Sequence, residues 1–349
     1  MNKFADIHVH LQNIDNQRVE TLLDTLAKIG ITDATLLSVC TMCDFDIISN
    51  LVSLYWKEKY KKINLSAFGS FHEIDIYKDI PYEKQAERLL SLGCDGIKFL
   101  HMKPFERKQI GKGVNHPSYD RALSMLEERQ TPVLIHSGDP ETFWDITKVT
   151  PYELAHGYYY DSSYLSPQDH YNEDFEMLDK HPKLNVTFAH FFFLSNFPDE
   201  VERVFDKYEN VRFDLTPGWE MYLGFSKDID RWQKIFERYS DRIIFGTDSN
   251  STKGYNEAIH DLVYGALTHD KSTFQMPCYG GHTIRGLDLP GDVVEKICYK
   301  NYADFVGEKP VPVDTVGLLE YAKEMLSDIK DISGMERSIN WLTDFIKNG

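Results

Sequence analysis

Short apolar, β-branched runs recur about every thirty residues along the chain, at 4–10, 32–38, 63–70, 95–100, 132–137, 185–191, 211–216 and 242–248. Most lack polar alternation, which is the pattern of strands buried on both faces. Between them lie stretches such as 19–28, 83–92 and 119–128, with apolar residues at i, i+3 or i+4, and i+7, and these predict amphipathic helices. Several end at a glycine, as at Gly30 and Gly93. Eight βα units of this size fill about 250 residues, the usual extent of a (β/α)8 barrel, so the expected fold is α/β, a TIM barrel. A doubly wound open sheet is the weaker choice, because eight units recur and no glycine-rich dinucleotide turn follows the first strand.

The spacing stretches once, between the fifth and sixth runs, and predicts a long insertion at about 139–183. It carries Trp144, Tyr152, Tyr158, Tyr159, Tyr160, Tyr164 and Tyr171. Loops after barrel strands sit on the active face, so the insertion reads as a lid or pocket wall, or else as a surface excursion packed on its own tyrosines. A further helix is expected at 287–307, completing a barrel domain at 1–307. Amphipathic stretches near 314–329 and 334–347 form a helical extension, 308–349, which pads the barrel or supplies the contact of a homo-oligomer.

Polar residues at the C-terminal ends of these strands stand out. They are His8 and His10 on strand 1, Lys98 and His101 on strand 4, His136 on strand 5, His190 on strand 6 and Asp248 on strand 8. Side chains two apart on a strand share a face, so His8 and His10 address one point. Alone they are read equally well as metal ligands or as a buried hydrogen-bonded pair. In a barrel, however, strand ends converge on one mouth. Imidazoles with a carboxylate suit Zn2+, and Mn2+, Fe2+ or Co2+ also fit. A divalent metal is therefore expected. A metal with an open position brings the pKa of its water toward neutrality, and a nearby carboxylate can take the proton.

Charge narrows the partners. The chain has 38 Lys plus Arg against 55 Asp plus Glu, a formal charge of −17, which disfavours nucleic acid and anionic membrane surfaces. The partner expected is a small-molecule substrate. There is no apolar run long enough to span a bilayer and no signal-peptide pattern at Met1–Lys3, so a cytoplasmic location is expected. Five cysteines, an odd and scattered number, fit reduced thiols. Cys40 and Cys43 form one C-x-x-C without a second, which reads as two partly buried thiols before it reads as a redox or metal pair.

The motifs His8-Val-His10, Gly96-Ile-Lys98, Leu134-Ile-His136, Ala189-His190 and Arg242-Ile-Ile-Phe-Gly-Thr-Asp248, in this order, resemble the amidohydrolase superfamily. More narrowly they resemble its amidohydrolase-related branch, which includes aminocarboxymuconate semialdehyde decarboxylase. The segment from Leu289-Pro290 to Gly307 resembles that branch's closing helix. The resemblance covers about 4–307 and excludes both the insertion and the tail. It implies that His8, His10, His136 and Asp248 hold one divalent metal, that His190 polarises the substrate or shuttles a proton, and that Asp248 doubles as general base. Lys98 stays open between a carboxylated bridge of two metals, a cation for a substrate carboxylate and a structural ion pair. Lys98, His101 and Arg285 are the candidate substrate contacts.

The function expected is hydrolysis of a small-molecule ester, lactone or amide by metal-activated water. Nonoxidative decarboxylation of an aromatic or enoic acid would use the same residues. A catalytically idle ligand-binding barrel would require a broken site, and the key positions are intact.

Overall fold

The structure is a computed structural model describing residues 3–348 except 12–14, 41–45, 253 and 255, so Cys43 lies outside the described residues. Its strands are β1 (Phe4–His10), β2 (Ile31–Leu37), β3 (Asn64–Ser70), β4 (Gly96–Met102), β5 (Val133–Ser137), β6 (Val186–Phe188), β7 (Val211–Asp214), β8 (Ile243–Ile244) and β9 (Ser249–Asn250). They form one parallel sheet in the order β8-β7-β6-β5-β4-β3-β2-β1-β9. The ends meet because β8 and β9 belong to one extended run. Ile244 pairs with Asp214 of β7, while Ser249 and Asn250 pair with Val9 and His10 of β1. The Ile7 N–H also donates to the Phe245 carbonyl at 3.1 Å, so the sheet closes into the expected (β/α)8 barrel.

Inside the barrel, Ala5, Ile7, Leu37, Phe68, Leu134, Ala189 and Ile244 form a compact apolar plug. Tyr302 and Phe305, on the helix Asn301–Val306, join the same cluster. Asn301 fixes that helix by donating to the carbonyls of Ser240 (2.6 Å) and Ile243 (2.7 Å). A polar residue in the closing helix thus satisfies backbone groups at the start of β8.

The long gap after β5 is not all insertion. Its last part, the helix Pro167–Lys180, buries Met177 and Leu178 in the outer core and is the barrel's own helix between β5 and β6. The excursion proper is therefore 138–166, shorter than the sequence suggested, because the helix's polar face masks its periodicity. Within it, the short helix Pro151–Ala155 carries a capping box between Thr150 and Glu153, and Phe143, Trp144, Tyr158, Tyr160 and Tyr164 pack together. Among the described residues no helix is long and apolar enough to cross a membrane.

The C-terminal helices Thr315–Ile329 and Glu336–Asn348 pack against the helix Ser49–Lys59, with Tyr55 set edge-on to Trp341 and Phe345. The extension thus pads the barrel. A buried ion pair latches it in place. Lys57 Nζ donates to Asp95 at 2.5 Å, and Asp95 accepts from the N–H groups of Ala67 and Val311, each at 2.7 Å. Gly93 permits the approach, since its φ is +105° and a Cβ there would meet the Pro312 carbonyl at 2.6 Å.

Removing one partner of a buried pair leaves a charge without compensation. Asp95→Ala is expected to cost about 3–5 kcal/mol in denaturant unfolding and to make residues after 308 the first site of limited proteolysis.

Candidate metal centre

His8 and His10 reach the barrel mouth through an irregularity in β1. Asp6 pairs with Ala34 and Val9 with Leu36, so β1 takes three steps where β2 takes two. The extra residue lets Ile7 and His8 both turn inward, after which Val9 faces the outer core and His10 faces the mouth. Asp6 holds the bulge by accepting from the N–H groups of His8 (3.0 Å) and Thr247 (3.1 Å) and from the Thr247 hydroxyl (2.6 Å). Burial pushes the Asp6 carboxyl up to about 7.

The tautomers of the two imidazoles follow from their partners. His8 Nδ1 lies 2.9 Å from Asp214 Oδ2, and His10 Nδ1 lies 3.2 Å from the Leu37 carbonyl. Carboxylate and carbonyl oxygens only accept, so each Nδ1 carries its proton and each Nε2 presents a lone pair. Those two lone pairs face one another at 3.0 Å. Asp248 Oδ1 lies 3.8 Å from His8 Nε2 and 3.6 Å from His10 Nε2, and ligand atoms of all three residues fall within 4.8 Å of one another. Two lone pairs and a carboxylate aimed at one point repel unless a cation sits among them. The donor set therefore fits a divalent metal. Burial, with the charge of Lys98, holds the His8 imidazole well below its usual range, so it stays a neutral ligand.

Asp214, at the end of β7, was not among the sequence candidates. It is fully buried; one oxygen takes the His8 ring proton and the other accepts from the His190 N–H at 2.7 Å, the Thr216 N–H at 3.1 Å and the Thr216 hydroxyl. The signal was available, because a carboxylate closes an apolar run between the strands of His190 and Asp248.

His190 is aimed by an unusual turn. His190, Phe191, Phe192 and Phe193 all have left-handed backbones, with φ between +52° and +56°, which explains why β6 stops at Phe188. Such a conformation is disfavoured by about 1–2 kcal/mol per non-glycine residue. Two buried rings offset it. Phe191 packs among Phe213, Phe225 and Phe236, while Phe192 stacks on Phe188 at 4.1 Å. Phe193 lies over the His190 ring at 5.3 Å. His190 Nδ1 donates to the Thr216 carbonyl, leaving Nε2 3.1 Å from His136 Nδ1. Burial and the neighbouring His136 bring the His190 imidazole down to about 3. Asp248 also has a left-handed backbone, φ +52°, so both expected catalytic residues sit in strained geometry, as functional residues often do.

The structure thus gathers His8, His10 and Asp248 in one set. His136 stands beside it, turned toward His190 and, through Nε2, toward Asp139 at 3.4 Å. Of the three expected substrate contacts, Lys98 alone faces the centre. It is fully buried, its Nζ has no hydrogen-bond partner among the described residues, and its charge acts on His8, His136 and Asp248. Burial lowers its ammonium to about 7. His101 instead spends its Nε2 on the Cys40 carbonyl at 2.8 Å. Arg285 belongs to a hairpin of β10 (Thr273–Gln275) and β11 (Thr283–Arg285), where its Nε donates to the Lys271 carbonyl. Local backbone acceptors hold both, and sequence position cannot reveal that. The charge of Lys103, just after β4, reaches Asp139 and Asp248, and its ammonium lies 5.7 Å from the Tyr158 ring centroid. The excursion thereby walls the mouth, with Tyr160 donating to Asp139 at 2.5 Å.

Partners that orient metal-binding imidazoles are worth roughly 10–100-fold in metal affinity. Asp214→Asn is expected to weaken binding by about that factor in competition with a chromophoric chelator, with the far-UV circular dichroism unchanged. Phe192→Ala is expected to lose roughly 3–5 kcal/mol of stability.

Comparison with known proteins agrees with this fold. The model of the amidohydrolase family matches residues 79–307 of the 349. Among solved structures, a putative amidohydrolase from Staphylococcus aureus is 16% identical with a TM-score of 0.57, over 87% of this chain and 99% of that one. A dihydroxybenzoic acid decarboxylase from Polaromonas sp. JS666, with bound manganese and the inhibitor 2-nitroresorcinol, is 13% identical with a TM-score of 0.53, over 88% and 97%. The 4-oxalomesaconate hydratase of Rhodopseudomonas palustris is 10% identical with a TM-score of 0.55, over 94% and 99%. No curated protein matches. With its barrel closed and the motifs set at the strand ends, the chain belongs to the amidohydrolase family, in its amidohydrolase-related branch.

Proposed function

We propose that this chain is a metal-dependent hydrolase of a small ester, lactone or amide that carries a carboxylate. The observation that supports this most is the convergence of the His8 and His10 lone pairs with the Asp248 carboxylate. His8, His10 and Asp248 would hold the metal, with His136 completing the set. Zinc is the first choice for imidazole donors, with manganese, iron or cobalt acceptable. When bound, the metal supplies Lewis acidity and an acidified water. Asp248 is about a quarter exposed, so its carboxylate can bind the metal and still meet a proton from the cleft. The His190 ring stands at the same mouth, beside His136, where it can polarise the substrate or shuttle a proton. Lys98 supplies a buried positive group for the substrate's carboxylate.

A second reading, decarboxylation of an aromatic or enoic acid, is favoured by the same lysine. A buried amine with no hydrogen-bond partner among the described residues is suited, when protonated, to an anion from outside. The structural neighbours include a decarboxylase with bound manganese and a hydratase.

A panel of lactones, esters and amides, each with and without a carboxylate, together with aromatic and enoic acids, separates the readings under defined Zn2+, Mn2+, Fe2+ or Co2+. Turnover of carboxylate-bearing esters or lactones is expected. Asp248→Asn should lower kcat by roughly 10²–10⁴, and Lys98→Met should raise KM for the charged members while sparing neutral ones. CO2 release from an acid with no scissile carbonyl bond would establish the second reading. Inactivity across the whole panel with every metal would count against both.

A further inference from the structure

Away from the metal centre, a cavity of about 180 Å³ lies at the seam between the barrel and the C-terminal extension. Its walls come from three parts of the chain. Asn50 stands on the helix Ser49–Lys59; His72, Tyr77 and Ile80 follow β3; Lys84, Gln85, Arg88 and Leu89 lie on the helix Tyr82–Ser91, where the Lys84 ammonium pairs with Glu87 at 2.8 Å. Tyr321, on the helix Thr315–Ile329, closes the far side.

Most polar groups in the wall are already engaged. The Asn50 amide exchanges two hydrogen bonds with the backbone of Ser70, at 2.8 and 2.9 Å. Gln85 does the same with His72 and also donates to the Ile80 carbonyl. The Tyr77 hydroxyl donates to Asp328 at 3.0 Å, and Arg88 pairs with Glu324 while its guanidinium lies 4.0 Å above the Tyr321 ring. His72 differs. Its ring is buried, and Nδ1 donates to the Asp75 carboxylate, which leaves a lone pair on Nε2. That Nε2 is buried and has no hydrogen-bond partner among the described residues. A buried acceptor left unsatisfied costs about 1–3 kcal/mol.

We propose that this cavity is a second binding site, for a phenol-sized hydroxylated aromatic whose O–H donates to His72 Nε2. An apolar void of roughly 150 Å³ admits a benzene ring, so the volume is right for one ring. Ile80, Leu89 and the rings of Tyr77 and Tyr321 supply the apolar walls. The single unused acceptor selects a donor-bearing ring over a bare hydrocarbon or a carboxylate. The polar contacts at the cavity rim, Arg88 to Glu324 and Tyr77 to Asp328, lie at the surface, where such pairs are weak. A bound ring would bridge the barrel to the extension, so its binding should also protect the extension from proteolysis.

Calorimetric titration of the full chain with phenol, toluene and benzoate tests the proposal. Phenol should bind at one site per chain, roughly threefold to tenfold tighter than toluene, the net worth of one hydrogen bond. Benzoate, an anion without a donor, should bind more weakly than either. His72→Phe should erase the preference for phenol while keeping toluene binding, Leu89→Trp should abolish both, and His8→Ala should change neither. The nitrogen resonance of His72 Nε2 in 15N-histidine-labelled protein should shift on adding phenol, and this reading stands if Leu89→Trp fails to fold. Absence of saturable phenol binding, benzoate as the tightest ligand, or an unmoved His72 resonance would overturn the proposal.

Discussion

Two imidazole lone pairs held 3.0 Å apart and facing each other are unfavourable in a protein interior, and much of this fold's mouth exists to keep them there. Their orientation is set from behind. Asp214 takes the far proton of His8, and the Leu37 carbonyl takes that of His10, so neither ring can turn without giving up a buried hydrogen bond. Asp248 brings the balancing negative charge from the other edge of the barrel. The arrangement makes sense as a cradle for a cation, and the choice of imidazole and carboxylate makes that cation a borderline divalent metal.

The cradle depends on barrel closure. β1 carries both histidines and β9 follows Asp248, and the pairing of these strands brings the three groups within reach. Asp6 and Thr247 sew that seam from beneath. Asp214 then couples the seam to strand 6, because the carboxylate that orients His8 also receives the His190 N–H. One buried acid therefore orients His8 and His190 together. The left-handed turn from His190 to Phe193 follows from this demand. Its backbone is costly, and the burial of Phe191 and Phe192 keeps it in place.

Much of this was legible in the sequence. Eight unalternating apolar runs announced a parallel barrel, and histidines at the ends of runs 1, 5 and 6 with Asp248 near the end of run 8 announced a site, because period and position along a strand are local properties. What remained hidden was tertiary. Asp214 sits in plain view as the fourth residue of Val211–Asp214, yet its role depends on a histidine some two hundred positions away. His101 and Arg285 occupy plausible positions but are taken by the carbonyls of Cys40 and Lys271. Lys98 lay open between three roles in the sequence; its buried amine has no hydrogen-bond partner among the described residues, which speaks against the structural ion pair and leaves the other two open. The helix Pro167–Lys180 was absorbed into the insertion because its polar residues outnumber the apolar stripe that binds it to the barrel.

The central claim is that His8, His10 and Asp248 form a metal cradle. Equilibrium dialysis of chelator-stripped protein against Zn2+ or Mn2+, with elemental analysis of wild type and His10→Gln, tests it most directly. The account predicts one tightly held ion per chain in the wild type, lost or greatly weakened in the variant while the fold persists. A wild-type chain that retains no ion, or a variant that binds as tightly as wild type, would contradict it.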